Sequence, residues 1–202
     1  MTGRERVLAA VRGATRHGVA HPGRHPAPAL AADFASFAAA LVAAGGEAVG
    51  PLAREALADA VSAKARAWAG GGRIVAEPSA AELLGGTAIE IAAHDTAPHA
   101  FADVAVAIAR GSAGVAENGA VAVSGRDAPN RALLFLAERV ILLLDVAAIA
   151  GDLHSALRAL PPEAWKPQLG LIAGPSKTAD IEQTLVQGAH GPRELAVFAY
   201  RD

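Results

Sequence analysis

The sequence contains no cysteine, and this absence restricts the chemistry of the chain. Without thiols there are no disulfides, no thiolate nucleophile and no sulfur ligands for zinc or an iron–sulfur cluster. Electron carriers of that kind must therefore belong to other proteins. Long apolar runs are also missing, because the longest, residues 37–44, falls far short of the roughly 20 residues that span a bilayer. We expect no transmembrane helix.

The chain also lacks an excess of positive charge. Its 18 lysines and arginines stand against 20 aspartates and glutamates, which gives a formal net charge of −2. Such a surface neutralises few phosphates, so neither nucleic acid nor an anionic membrane is an expected partner. The N-terminus has no apolar secretory region, and Thr2 with Glu5 fits a capping box that starts a helix. The expected location is the cytoplasm.

What is present fits one folded domain. The 202 residues are 52% hydrophobic and 19% charged, as in globular proteins. Residues 1–28 predict an N-terminal helix and a flexible connector, and residues 29–202 predict an α/β domain. His17, His21 and His25 have the spacing of metal ligands on a helix, but the intervening glycines and prolines oppose a helix. No metal site and no cofactor are predicted.

Hydrophobic periodicity predicts alternating helices and strands, which favours a largely parallel sheet with helices on both faces. A strand pair is expected to join near Asn118, where Asn-Gly favours a tight turn. Ser79 and Glu82 repeat the capping-box spacing and predict a short helix. The other predicted helices cover residues 30–45, 51–69, 152–160 and 178–186, and the predicted strands cover 73–77, 87–92, 104–108, 120–123, 139–144, 169–173 and 194–200.

The first candidate site has the sequence GPSKTADIE at residues 174–182, between a predicted strand and a predicted helix. Ligands tend to bind at the carboxyl ends of strands in open α/β sheets. Free N–H groups at the helix start, with Ser176, Lys177 and Thr178, suit a phosphate or carboxylate. Alternatively, a hydroxyl caps the helix while Asp180 and Glu182 complement its dipole, which requires no ligand. The residues alone leave both interpretations open.

Three further positions are candidates, each with an alternative. Glu117, in the apolar run GVAENGA, suits proton transfer or attack on an acyl group if desolvated, or it is simply exposed at a turn. His190, in the segment GAHGPR, suits metal binding or proton shuttling, or it is a structural histidine. Arg126 and Arg131 follow the predicted hairpin and either pair with an anion or remain solvated.

Four segments together resemble the lactate utilization protein C family, whose members carry the LUD domain. They are residues 114–119, 139–145, 174–182 and 188–193, and the resemblance covers residues 101–202 well. It implies a three-layer α/β/α fold like that of ribose-5-phosphate isomerase, glucosamine-6-phosphate deaminase and coenzyme A transferases. It also implies a role beside two iron–sulfur partner proteins that oxidise L-lactate to pyruvate. The absence of cysteine agrees with this division of labour.

The resemblance also implies a shared pocket for a small carboxylate or phosphate. Asn118 stands where the family usually has threonine, so one hydroxyl is missing here. Two alternatives to an accessory subunit remain: a free-standing isomerase, coenzyme A transferase or ligase acting on a phosphorylated or acyl substrate, and a purely structural assembly subunit. The implied catalytic residues are Glu117 and Asp180, and the implied ligand-binding residues are Ser176, Lys177, Thr178, Glu182, His190 and Arg131.

Overall fold

The computed structural model describes residues 2–14, 20, 23, 30–86, 89–93, 95–178 and 185–202. His17, His21 and His25 lie outside these residues, as do Asp180 and Glu182. Most of the predicted connector and the middle of the predicted helix 178–186 are outside them as well.

A six-stranded sheet forms the centre of the described part of the chain. Its strand order is β1-β12-β7-β4-β2-β3, and every neighbouring pair is parallel. This confirms the predicted α/β class with a largely parallel sheet. The strands are β1 (Glu47–Ala53), β2 (Arg73–Ala76), β3 (Glu90–Ile91), β4 (Val104–Arg110), β7 (Arg139–Asp145) and β12 (Glu194–Arg201).

The two faces of this sheet have separate cores, because successive side chains of a strand point to opposite sides. Ile141 and Leu143 of β7 pack with helices α3 (Arg54–Ala69) and α4 (Pro78–Leu83) on one face. Leu142 and Leu144 pack on the other face with α2 (Phe34–Ala43) and α5 (Arg131–Leu136). All four leucine and isoleucine side chains are fully buried. The continuous apolar run of β7 is thus the signature of a strand covered on both faces.

A second sheet of four strands lies between the central sheet and the helix α6 (Leu153–Ala159). Strands β5 and β6 form an antiparallel hairpin at the predicted Asn-Gly turn, and β9 pairs antiparallel with β6. The predicted strand at 169–173 therefore exists, but it does not belong to the parallel sheet. The strand at 104–108, expected to pair with 120–123, instead lies in the parallel sheet as β4. The strands are β5 (Ala113–Val115), β6 (Ala120–Ser124), β8 (Ile149–Ala150) and β9 (Leu169–Ile172), in the order β8-β5-β6-β9.

Side-chain caps start several of the helices. The Thr2 hydroxyl accepts a hydrogen bond from the Glu5 N–H, and the Glu5 carboxylate accepts one from the Thr2 N–H, at 3.3 and 2.7 Å. This confirms the predicted capping box of α1 (Gly3–Ala14). Asp33 caps α2 in a similar way by accepting from the Ser36 N–H at 2.8 Å.

Three predictions about the helices are wrong. The helix expected at 51–69 starts at Arg54, because the preceding residues form the edge strand β1, a position that tolerates Pro51. The capping box expected at Ser79 is absent: its hydroxyl donates to the Asp127 carbonyl at 2.7 Å, and Glu77 precedes the helix. Both corrections come from contacts with distant residues.

The third error is the helix expected at 178–186. Its ends lie in β10 (Lys177–Thr178) and β11 (Val186–Gln187), which pair antiparallel. Hydrogen-bonded strands are about 5 Å apart, whereas the ends of a nine-residue helix would be roughly 12 Å apart. Thr178 and Val186 therefore do not belong to one helix.

Candidate functional site

The β6–β9 ladder joins two of the segments expected to form a site. Val121 faces Ile172 at the last pair of this antiparallel ladder, so the residues just before β6 and those just after β9 leave it at the same end. Gly119 and Gly174 lie in these two segments. Both glycines have left-handed backbones, with φ values of 69° and 72°. The hairpin tip that carries Glu117 and the turn that starts residues 174–178 are therefore neighbours.

Both glycines press against the last turn of α2. A Cβ atom added at Gly119 would lie 2.3 Å from the backbone nitrogen of Leu41, and one added at Gly174 would lie 2.3 Å from the Ala44 carbonyl oxygen. Real side chains cannot approach a backbone so closely, so both positions require glycine. Both turns therefore pack closely against the same helix, α2.

Lys177 also contacts this end of α2. Its ammonium group donates a hydrogen bond to the Ala44 carbonyl oxygen. The last carbonyls of a helix lack partners within the helix, and the negative end of the helix dipole favours a cation there. Lys177 therefore has a stabilising role that requires no ligand.

Ser176 lies against the loop that carries His190. The Ser176 N–H donates to the Pro192 carbonyl at 2.8 Å, and the Ser176 carbonyl accepts from the Gly188 N–H at 2.9 Å. His190 is exposed on this loop. The hydroxyls of Ser176 and Thr178 have no hydrogen-bond partner in the described part of the chain. The structure thus brings together the segments around Glu117, Ser176 and His190.

Glu117 is exposed at the hairpin tip and holds the start of a helix. Its Oε2 accepts a hydrogen bond of 3.1 Å from the N–H of Leu153, the first residue of α6. Asp152 accepts another, of 2.9 Å, from the Ser155 N–H. Carboxylates at a helix start satisfy free N–H groups and stabilise the helix dipole. Glu117 is therefore exposed at a turn and is not a desolvated carboxylate.

Arg131 lies away from these segments, contrary to the prediction of one shared pocket. Its guanidinium donates to the Gln168 side-chain oxygen at 2.6 Å. Gln168 precedes β9, whereas Gly174 follows it, so the two ends are about 20 Å apart along an extended strand. The antiparallel direction of β9 separates Arg131 from the turn.

The turn at residues 174–178 is beside the amino ends of the central strands. Pro192, which accepts from Ser176, leads into β12, and the Arg193 N–H donates to the Glu138 carbonyl just before β7 at 2.7 Å. The prediction from the carboxyl-edge rule is therefore wrong for this turn, because β9 belongs to the second sheet. That rule applies to the strands of the parallel sheet.

A cavity of about 350 Å³ does lie at the carboxyl edge of the parallel sheet. Arg126 was a sequence candidate, whereas the other lining residues were missed. The detectable signal was that β4 and β7 end on the charged residues Arg110 and Asp145, and that Ser112 comes shortly after β4. This pattern indicates a site only because β4 and β7 are adjacent in the sheet. The remaining lining residues are Gly111, Ser124, Asp127, Ala148, Leu160, Pro161 and Ala164.

Near this edge, Glu77 is wholly buried after β2. Its backbone N–H donates to the Ile108 carbonyl of β4 at 2.8 Å. Burial raises the pKa of Glu77 to about 7, and two hydrogen bonds from Asn130 act in the opposite direction. This carboxyl group was not a sequence candidate, since burial of a single glutamate depends on the tertiary structure.

The described residues contain neither a metal-binding cluster nor a membrane-spanning helix. No three histidine, aspartate or glutamate side chains among them are grouped to hold a metal ion. No helix within those ranges is long and apolar enough to cross a membrane.

The parallel sheet, with helices on both faces and a second sheet that joins the glycine turns, defines a layered α/β protein. The LUD domain family matches residues 53–200, which is most of the chain. The chain therefore belongs to the LUD domain family.

Curated relatives carry two kinds of name. Lactate utilization protein C of Geobacillus kaustophilus is 31% identical over 102 residues, covering 48% of this chain and 42% of that protein. The protein of the same name from Bacillus pumilus is 34% identical over 83 residues, covering 39% and 35%. An uncharacterized protein of Neisseria meningitidis serogroup B is 31% identical over 101 residues, covering 49% and 43%. The matched regions span less than half of each relative.

A solved structure supports the fold. The crystal structure of a DUF162 family protein from Deinococcus radiodurans superposes with a TM-score of 0.63, covering 83% of this chain and 95% of that one. The two sequences are 16% identical, so the likeness concerns the fold alone.

Proposed function

We propose that this chain is a cytoplasmic accessory subunit of a lactate utilization system and binds a small carboxylate or phosphate. The binding site of this proposal lies at the hairpin tip of residues 117–119 and the turn of residues 174–178. The observation that carries it is the β6–β9 ladder, whose last pair, Val121 with Ile172, brings the residues before β6 and those after β9 to the same end. Two segments distant in sequence thereby meet on one side of the fold.

The chemistry of these segments suits a small anion. Two hydroxyls, on Ser176 and Thr178, lack partners within the described residues and are free to donate. His190 is exposed on the adjacent loop, where a ring N–H can donate a hydrogen bond to an anion. Asp180 and Glu182 continue the same segment, and with Glu117 they are proposed to accept hydrogen bonds from the hydroxyl of an L-lactate-like ligand.

The lactate role is supported by relatives that are named lactate utilization protein C. Because the chain contains no cysteine, iron–sulfur clusters of such a system would belong to partner proteins. The proposal therefore gives this chain a binding or docking function and leaves electron transfer to those partners.

The test is growth of the native host on L-lactate with the chromosomal copy replaced by variants. Ser176→Ala with Thr178→Val removes both hydroxyls with little change in the size of the side chains. We expect slow growth on L-lactate, normal growth on glucose and normal amounts of the protein. Thr96→Val, in an exposed turn where the hydroxyl donates to the Ala93 carbonyl, is the matched control.

A pull-down of the tagged wild-type chain from the same host tests the partners. Recovery of iron–sulfur proteins supports the accessory role. Normal lactate growth of the double variant would contradict the proposed anion site. Turnover of a sugar phosphate or acyl thioester by the purified chain alone would instead indicate a free-standing enzyme.

A further inference from the structure

The cavity at the carboxyl edge of the central sheet is separate from the site proposed above. It lies where β4 and β7 end, whereas the turn of residues 174–178 is beside the amino ends of the parallel strands. We propose that this cavity, which we call the edge cavity, is a second binding site. Its ligand is a small hydroxylated oxyanion, either a phosphate monoester or a hydroxycarboxylate.

Strands from both sheets end at the edge cavity. β4 ends at Arg110, β6 at Ser124 and β7 at Asp145. The Gly111 N–H donates to the Leu143 carbonyl at 2.8 Å, and the Ser112 N–H donates to the Ala122 carbonyl at 2.7 Å. These backbone bonds attach the floor to rigid strands, which is where binding groups are held most accurately.

Hydrogen bonds between side chains also fix the floor. The Ser112 hydroxyl donates to Asp127 Oδ2 at 2.9 Å and accepts from the Ser124 N–H at 3.3 Å. The Ser124 hydroxyl, which is 1% exposed as a residue, accepts from the Arg126 N–H at 3.1 Å. The floor is therefore preorganised and needs little rearrangement when a ligand binds.

The carboxylates and the guanidinium groups of the edge cavity differ in their hydrogen bonding. Asp127 accepts from Ser112, and Asp145 Oδ1 accepts from the Ala147 N–H at 2.9 Å. In contrast, the guanidinium groups of Arg110 and Arg126 make no hydrogen bond or ion pair with any described residue. The unused hydrogen-bonding capacity is thus mainly that of cationic donors.

This imbalance identifies the ligand class. Guanidinium groups bind carboxylate and phosphate through paired N–H donors, and two of them line this cavity. The carboxylate oxygens of Asp127 and Asp145 that remain free accept hydrogen bonds from ligand hydroxyls. A volume of about 350 Å³ is within the usual range for small-molecule sites.

Isothermal titration of the purified chain with three probes tests the proposal. The probes are glycerol 3-phosphate, L-lactate and inorganic phosphate. Saturable binding of glycerol 3-phosphate identifies a phosphate monoester site, and binding of L-lactate identifies a hydroxycarboxylate site. Inorganic phosphate, which has no carbon-bound hydroxyl, should bind more weakly than glycerol 3-phosphate. Failure of all three probes to bind would overturn the proposal.

Variants then locate the binding. Arg110→Gln and Arg126→Gln should each lower the affinity for the probe about tenfold, which is the loss expected for one charge-assisted contact. Arg66→Gln, an exposed arginine in the last turn of α3, removes the same charge and should leave affinity unchanged. Arg110→Lys keeps the charge without the paired donors and should weaken binding as well. If the three variants at Arg110 and Arg126 bind the probe as tightly as Arg66→Gln does, the assignment of the edge cavity is overturned.

The outcome is distinguishable from failure of the proposed lactate function. Ser176→Ala with Thr178→Val lies at the other edge of the sheet and should not change binding in the edge cavity. Loss of probe affinity in that variant, with the arginine variants unaffected, would place the binding at the turn and refute a second site.

Discussion

Asn130 donates hydrogen bonds to both carboxylate oxygens of Glu77. The backbone N–H reaches Oε1 at 3.1 Å, and the side-chain amide reaches Oε2 at 3.3 Å. The contact attaches the end of β2 to the start of α5, and both residues are buried. A buried carboxylate held by neutral donors alone is costly to ionise.

Glu77 should make the protein less stable as the pH rises. The folded-state pKa is about 7, above the ordinary value of 4.5, so the folded protein retains this proton where the unfolded chain loses it. Stability from Glu77 is therefore complete below about pH 4.5 and lost on approaching about pH 7. At about 1.4 kcal/mol per pH unit, the total loss is about 3 kcal/mol.

Urea unfolding of Glu77→Gln at several pH values measures this effect. The amide resembles the protonated carboxyl group but does not ionise, so the variant should lack the pH dependence of stability that comes from Glu77. The difference in unfolding free energy, wild type minus variant, should fall by about 3 kcal/mol between about pH 4 and pH 8. Glu55→Gln, in the exposed first turn of α3, is the control and should show little change. Parallel curves for wild type and Glu77→Gln would contradict the prediction.

Alanine at Gly119 or Gly174 should destabilise the protein strongly. The left-handed backbone costs roughly 1–2 kcal/mol for a residue with a Cβ, and the collision with the α2 backbone adds about 1–3 kcal/mol. Gly85→Ala separates the two costs, because Gly85 has a φ of 68° and nothing within 4 Å of its added Cβ. In thermal unfolding, Gly85→Ala should lower the melting temperature less than either of the others. Equal effects of all three would show that α2 does not press on the turns.

Glu117→Ala should lower stability by about 0.5–2 kcal/mol, since it removes an acceptor at the start of α6. Glu117→Gln keeps an acceptor oxygen but loses the negative charge at the start of α6, so it should lose only a part of this stability. Chemical unfolding of both variants gives these values. If Glu117→Gln is more stable than Glu117→Ala yet abolishes growth on L-lactate as completely, then Glu117 acts on a ligand in addition to capping α6.

Lys177→Met should lower the unfolding free energy by about 0.3–1 kcal/mol, the usual value of a cation at an exposed helix end. Unfolding should be measured at low and high salt, because screening weakens the contribution of the charge. A difference between Lys177→Met and wild type that does not shrink in high salt would contradict the assigned contact with α2.

Local sequence patterns predicted the features that depend on neighbours in the chain. The apolar run of β7, the hairpin near Asn118 and the Thr2 capping box all follow from residues within a few positions of each other. β1 was missed because Gly50 and Pro51 interrupt its pattern, and β12 supplies the pairing that makes it a strand. The sheet to which β9 belongs is likewise set by pairing with β6.

The candidate sites show the same limit. Family resemblance grouped Glu117 with the segment of Ser176, and the β6–β9 ladder makes those segments neighbours. Arg131 was also expected to bind the ligand, because it follows the hairpin, but it lies at the opposite end of β9. The edge cavity was missed because Arg110 and Asp145 become adjacent only through the pairing of β4 with β7.

The position of β12 between β1 and β7 has a consequence for how the protein is made. Glu47 of β1 pairs with Ala196, so the first strand of the sheet to leave the ribosome pairs with the last of the six to be synthesised. Contacts so distant in sequence slow folding, because the chain between them must be closed into a loop. Until then β1 and one edge of β7 have no neighbour. The nascent chain would therefore complete its sheet late, when β12 inserts between two strands synthesised before it.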